Sequence, residues 1–463
     1  ALFGLILGNV ENATRAGVAG AVEASVAAMR THTRCAVVQE RACSNLCSLT
    51  YLNVTNSIRA EDAGAVEAVV AALLRHTGNV GVQHNACKAI SGLTFVNMPA
   101  CNRAGIAGAV RAVVAAMRGH AEDEDIQGQG CAALTGMLYG HPNRRHAKNM
   151  IRVWNAGAVE TVVAAMRGHP ESEVVQLRAC VTMCILCSGI ADDDTRRVDA
   201  SAIEAVVAAM RRHAELEPLQ NHACATLDFV TAGSKESRTW AENVGAIEVL
   251  VTALRRNPLE AHHACGALCH IVDGNKVNKT KAGIMGAVEV VVEAMQRRVN
   301  NFNDIEVKER ACDALYTMLS DNEENKARAG IAGAVEAVVA AMCRFTGSAS
   351  VQERGCAALY ALISYHAENK IKAENAGAFE AVVTAMRQHA AIESLQSQAC
   401  EVMRFMIGGN AKYNIQALPQ VMNGGNAKRM QAGDAAAAVA VDNAMRTHTK
   451  EQRAPITGLR RNT

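Results

Sequence analysis

The sequence predicts an all-α fold: a right-handed α-solenoid of about ten three-helix repeats with a period of about 44 residues. Three observations carry this. One apolar block recurs along the chain, a glycine precedes nearly every copy, and a row of cysteines keeps the same interval.

The block is clearest at Gly333-Ala334-Val335-Glu336-Ala337-Val338-Val339-Ala340-Ala341-Met342. Val335, Val338, Val339 and Met342 fall on one face of a helix. The alanines line the adjoining face, so nearly the whole circumference is apolar, as in a helix buried on most sides. Other copies open at Gly20, Gly64, Gly108, Gly157, Gly245, Gly286 and Gly377, with Arg111 replacing the glutamate in the Gly108 copy. Ser201 opens one copy without glycine, and a worn copy starts near Gly433. The glutamate sits in the first turn, where a carboxylate favours the positive end of the helix dipole. The far end carries Arg-x-His, as at Arg30/His32, Arg118/His120, Arg167/His169, Arg211/His213 and Arg387/His389. Basic groups there complement the exposed carbonyls of their own helix. The histidines do not read as a metal site, because each belongs to a different repeat.

The chain has 463 residues, too many for one conventional core. Stacked repeats avoid that limit because each packs only on its neighbours. A net charge of +2 and an aromatic content of 3% provide neither a field nor a stacking surface for nucleic acid. No apolar run approaches the ~20 residues of a membrane span. Nine of the cysteines form a ladder: Cys43, Cys87, Cys131, Cys180, Cys224, Cys265, Cys312, Cys356 and Cys400. Packed helices lie ~8–10 Å apart, whereas a disulfide needs Cα atoms within about 7 Å. The ladder reads as reduced, buried small hydrophobes in an intracellular protein, cytoplasmic or organellar.

In chain order, residues 1–8 read as the end of a truncated preceding repeat, because Ala1-Leu2-Phe3-Gly4-Leu5-Ile6 matches the end of a cysteine-bearing helix. The natural product is therefore expected to extend upstream. Residues 9–408 hold nine repeats, 409–449 a degenerate C-terminal cap, and 450–463 a polar tail. Each unit opens with a short helix bearing Asn-x-x-(Arg/Lys)-Ala, as at Asn12–Ala16. The Gly-Ala-Val-Glu helix follows, and then a third helix opened by Val-Gln, as at Val38-Gln39, Val82-Gln83, Val175-Gln176 and Val351-Gln352. The spacing stretches around Gly140–Lys148, a basic segment able to meet an acidic partner, and around Val299–Asp304.

This pattern resembles the armadillo-repeat family, which includes β-catenin and importin-α, over roughly residues 9–449. The resemblance implies a non-enzymatic protein-interaction scaffold that binds a partner along a concave surface lined by third helices. The alternative is a permanent structural subunit of a large cytoskeletal, ciliary or organellar assembly. It implies protein partners, and no cofactor, nucleic acid, membrane insertion or small-molecule substrate. Importin-like relatives carry a Trp and an Asn on each third helix. The Trp-equivalent positions here include Ser44, Lys88 and Ala132, and the Asn-equivalent positions include Ser48, Gly92 and Gly136. Neither ladder is kept, which argues against an import receptor. Small residues at these positions imply a shallow, exposed floor. Tyr51, Phe95 and Tyr139, one turn further on, are candidate anchors, since aromatics are favoured at hot spots.

Other constellations yield to structural readings. His262, Cys265 and Cys269 share a helical face that suits zinc, but Cys265 belongs to the ladder and the ligand spacing is not that of an ordinary zinc site. Cys180, Cys184 and Cys187 read as one packed face. Gln127-Gly128-Gln129-Gly130 reads as a close helix approach, Asp192–Asp194 with Arg196-Arg197 as a charged first-helix face, and Glu122–Asp125 as a solvated loop. No phosphate-loop, HExxH or GxSxG motif is present, so no catalytic residue is assigned.

Overall fold

A computed structural model describes residues 10–95, 97–138, 147–188, 198–257, 261–297 and 303–407. All regular structure among them is α-helical, and the fold is an α-solenoid. The chain divides into two compact units, Ala1–Val249 and Leu250–Thr463. The expected cap and tail after residue 408, and the segments before residue 10, lie outside the described residues.

The three-helix unit is seen in its first copy as Val10–Val18, Ala21–Thr31 and Ala36–Thr50. Within each unit, successive third helices pack against one another. The second helices are buried as their apolar circumference requires: Ala65, Val66, Val69, Val70 and Leu73 are at most 3% exposed. Every cysteine of the ladder is buried, and all sixteen cysteines are free thiols.

The glycine break has a definite conformation. The glycines that open eight second-helix blocks, Gly20 to Gly377, have φ between 70° and 87°. That left-handed backbone turns the chain within one residue, which glycine alone does without strain. Where Ser201 stands instead, the helix starts earlier, at Ala200, and Asp199 caps it by accepting from the Ala202 N–H at 3.1 Å.

The Val-Gln motif closes the other end of the second helix. Gln39 Nε2 donates to Met29 O at 2.8 Å and to His32 O at 3.0 Å. Gln83, Gln127, Gln176, Gln220, Gln352 and Gln396 repeat the double bond. One side-chain amide thus satisfies two carbonyls that helix geometry leaves orphaned.

The Arg-x-His end differs from expectation. The histidine backbone does cap its helix, as at His76, whose N–H donates to Ala72 O. The side chains, however, serve the neighbouring repeats. His76, His120, His169 and His213 each donate Nε2 back to a loop carbonyl of the preceding repeat, at 2.7–2.9 Å. The arginines reach forward: Arg30 to Ala63 O at 2.8 Å, Arg118 to Gly157 O at 3.0 Å, and Arg211 to Val244 O at 2.6 Å. The own-helix carbonyls are already taken by glutamine, so the basic groups are left for the interfaces.

The first-helix asparagine is a buried cross-link. Asn56 Nδ2 donates to Ala13 O of the preceding repeat and to Leu49 O, both at 2.8 Å. Gly17 makes room, since a methyl group there would collide with the Asn56 amide. Gly283 with Asn325 and Gly330 with Asn369 repeat the fit. Gly130, from the Gln-Gly-Gln-Gly stretch, seats Met117, the close helix approach that the sequence implies.

One repeat in the second unit replaces the glutamine with Lys308. Its Nζ donates to Arg297 O at 2.7 Å and to Ala294 O at 3.3 Å. The buried charge is balanced by Asp304 at 3.0 Å, which also pairs with Arg344 at 2.8 Å. Removing one member of a buried pair strands the other. Asp304→Ala is therefore expected to cost about 3 kcal/mol, measured by urea unfolding. Asp304→Ser combined with Lys308→Gln, which restores the pattern of Ser348 and Gln352, should recover most of that loss.

Burial also silences the ladder thiols. Desolvation pushes Cys87, Cys131, Cys224, Cys312 and Cys356 up to about 12. Thiolates are the reactive form. Brief iodoacetamide treatment of the native chain at pH 8 should therefore label the exposed Cys35 and Cys343 first. Mass spectrometry should find these five ladder thiols unlabelled until the chain is denatured.

Candidate protein-interaction surface

In the first unit the third helices Ala36–Thr50, Val80–Thr94, Glu124–Leu138 and Glu173–Ser188 lie side by side. Their inward face holds the ladder cysteine and the clamping glutamine. The outward stripe falls at helical spacing from the cysteine: two residues before it (Gln129, Arg178), one after (Ser44, Lys88, Ala132) and four after (Cys47, Ser91). Of these, all but Cys47 are half-buried, and Cys47 is 6% exposed.

Between these helices lies an open groove of about 560 Å³, lined by Cys47, Ser48, Tyr51, Lys88, Ser91, Gly92, Phe95, Gln129, Ala132 and Arg178. It gathers six of the positions singled out in the sequence: Ser48, Tyr51, Lys88, Gly92, Phe95 and Ala132. Ser44 lies outside the lining, and Tyr139 is outside the described residues. Tyr51 and Phe95, at the ends of their helices, are 61% and 38% exposed, so they present ring surface to solvent.

The exposed floor is corrected at two positions. Gly92 and Gly136 are buried. A methyl group on Gly136 would collide with the Thr94 hydroxyl, and one on Gly92 would stand 3.2 Å from that of Thr50. Both threonines are pinned by bonds to their own helix, Thr50 to Leu46 O at 2.8 Å and Thr94 to Ile90 O at 2.7 Å. This row sets how closely consecutive third helices approach. The half-buried Ser48 belongs to the same row. Sequence reasoning missed Cys47, Ser91, Gln129 and Arg178. Helical spacing from the ladder cysteine would have found them.

The groove is electrostatically one-sided. Its lining contains Lys88 and Arg178 and no carboxylate. Neither cation pairs with a carboxylate among the described residues. Lys88 is close enough to Cys47 to favour its thiolate, although burial dominates and holds that thiol above its ordinary value.

The other constellations stay structural. Cys180 and Cys187 are buried on one helix with Cys184 half-buried, and Cys265 is buried with Cys269 half-buried. The His262 and His263 ring centroids lie 4.2 Å apart, with the rings tilted by 41°. Among the described residues, no group of three or more His, Cys, Asp or Glu side chains gathers to hold a metal, and no helix is long and apolar enough to cross a membrane. Asp192–Asp194 and Arg144–His146 lie outside the described residues.

Comparison with known proteins agrees with this architecture. An engineered protein of known crystal structure superposes with a TM-score of 0.71 at 21% identity, over 92% of this chain and 98% of that one. A structure from work on a phosphorylation switch controlling the interaction between cadherin and β-catenin also gives 0.71, at 14% identity, over 94% of this chain and 85% of that one. At such identities the likeness shows the fold. No curated protein matches the sequence. The family model of the LRRK2 ARM repeat matches residues 107–412, more than half of the chain. With its three-helix repeats, its left-handed glycine breaks and that match, the chain belongs to the LRRK2 ARM-repeat family.

Proposed function

We propose that this chain is a non-enzymatic protein-interaction scaffold whose first unit holds an acidic segment of a partner protein in the third-helix groove. The observation that carries this reading is the lining: two cations, no carboxylate and two exposed rings around one groove. The rings offer apolar anchorage. The cations steer an acidic segment and fix its register. The free, buried thiols support an intracellular setting.

A second reading, a permanent subunit of a larger assembly, is favoured by a different observation. The residue after the Arg/Lys-Ala-Gly of the first helix is apolar and exposed in several repeats: Val18 66% and Ile106 76% in the first unit, Ile284 68% and Ile331 83% in the second. Such side chains suit a partner covering the first-helix edge.

Native purification of the full chain, followed by reconstitution with whatever protein co-purifies, separates the two. Under the groove reading, Lys88→Glu should weaken binding by about 1–3 kcal/mol and flatten its salt dependence. Ala132→Trp should cost at least ~1 kcal/mol by filling the groove. If both leave affinity unchanged while Ile106→Glu abolishes it, the groove reading fails and the edge takes its place.

A further inference from the structure

The second unit concentrates scarce side chains on one surface. The whole sequence has six tyrosines and seven phenylalanines in 463 residues. Tyr316, Tyr360, Tyr365 and Phe405 lie together at the third helices Asn303–Leu319, Ala349–Ile363 and Glu393–Ile407. Phe405 meets Tyr360 edge-on at 5.5 Å and Tyr365 edge-on at 5.2 Å. Tyr316 stands one repeat before Tyr360 in the same register, four residues after the ladder cysteine. These rings are not core. Tyr316 is 37% and Tyr365 84% exposed, and Tyr360 and Phe405 are half-buried.

Among the rings the charges pair with one another, whereas Arg310, nearer the start of Asn303–Leu319, has no carboxylate partner among the described residues. Arg354 pairs with Asp313, and Glu401 accepts from Arg404 at 2.6 Å and 3.0 Å. The Arg404 guanidinium also lies 4.6 Å from the Phe405 ring centroid. This is the reverse of the first unit's groove, where the cations lack carboxylate partners. A charged segment laid over the rings would be desolvated for no new ion pair, so the complementary occupant there is uncharged. What the surface still offers is ring faces and tyrosine hydroxyls. Burial, and next to it the Glu401 carboxylate, hold the Tyr360 hydroxyl protonated, as a donor.

Rings and donors together match one kind of peptide. A polyproline II segment has bare carbonyls that need donors, few N–H groups, and apolar rings repeating every three residues, about 9 Å. Stacked helices repeat at about 8–10 Å, so aromatics in the same register on successive third helices match one turn of such a segment. We propose that this surface of the second unit binds an uncharged, proline-rich segment of a partner protein. Proline rings one turn apart pack on Tyr316 and on the Tyr360–Phe405–Tyr365 cluster, and peptide carbonyls accept from the tyrosine hydroxyls. These 463 residues hold no such segment, since their seven prolines are scattered singly.

The test uses the full chain and fluorescein-labelled decaproline, followed by anisotropy. Saturable binding is expected, with an equally long Gly-Ser peptide and a hexaglutamate peptide failing to bind at the same concentrations. Tyr365 has φ 60°, a left-handed turn also adopted by Leu52 and Asp321. Asn tolerates that backbone, so Tyr365→Asn removes the ring while keeping the turn. Tyr365→Asn and Tyr316→Ser should each weaken decaproline binding about fivefold or more, with the thermal unfolding midpoint retained. Lys88→Glu, in the first unit, should leave it unchanged. The proposal is overturned if decaproline shows no saturable binding, if Gly-Ser or hexaglutamate binds equally well, or if both ring variants bind as the parent does. Failure of the first-unit groove would leave these outcomes untouched.

Discussion

The glutamine amide at the start of the third helix is the contact on which the repeat depends. A helix ends with carbonyls that cannot be satisfied from within, and here that end is buried by the next helix. Leaving a buried acceptor unmet costs roughly 1–3 kcal/mol, and two would be left in each repeat that carries the glutamine. Gln127 meets both Met117 O and His120 O at 2.8 Å, and in doing so fixes where the third helix sits on the second. Lys308 shows how the role can be refilled, although the repeat whose third helix is Ala261–Val272 has Ala261 at this position. With no amide available, an ammonium takes the same role, and a buried aspartate accompanies it to hold the charge.

Once those carbonyls are closed, the remaining polar groups of the repeat become connectors. Arginines reach forward, histidines reach back, and asparagines cross-link first helices over glycines that leave them space. The contacts run between nearest neighbours, so no repeat is complete alone, as expected of a stacked array. Each glycine has a separate physical duty: Gly64 turns the chain, Gly17 admits an amide, Gly130 seats a methionine, and Gly136 lets two third helices approach. Replacing any of them would break a different contact.

The clamps use one side of the third helix and leave the outward stripe unconstrained. The same register therefore carries different chemistry in the two units: cations without carboxylate partners beside exposed rings in the first, and self-paired charges around an aromatic cluster in the second. A fold whose stability resides in the inward rows can vary its outward rows without repacking. Such a division suits a protein whose partners are recognised locally, repeat by repeat.

By itself the sequence determined the fold class, the three-helix unit, the glycine break before the second helix and the buried cysteine ladder. Each of these follows from local spacing: apolar residues at 3.6-residue period, glycine before a helix, cysteine at one register. Six groove positions, among them Tyr51, Lys88 and Phe95, were also legible, because their place on the third helix is a matter of counting. Only the tertiary structure decided the rest. Arg30 and His76 look like end groups of their own helix until a glutamine 7 residues beyond the histidine is seen to occupy those carbonyls. Gly92 and Gly136 look like an open floor until Thr50 and Thr94 of the preceding repeat are found against them. Arg178 joins Lys88, and Tyr365 joins Phe405, only through the stacking of repeats. These are contacts between residues some 40 or more positions apart, or across a turn whose direction the backbone sets, and helical periodicity within one repeat carries no information about them.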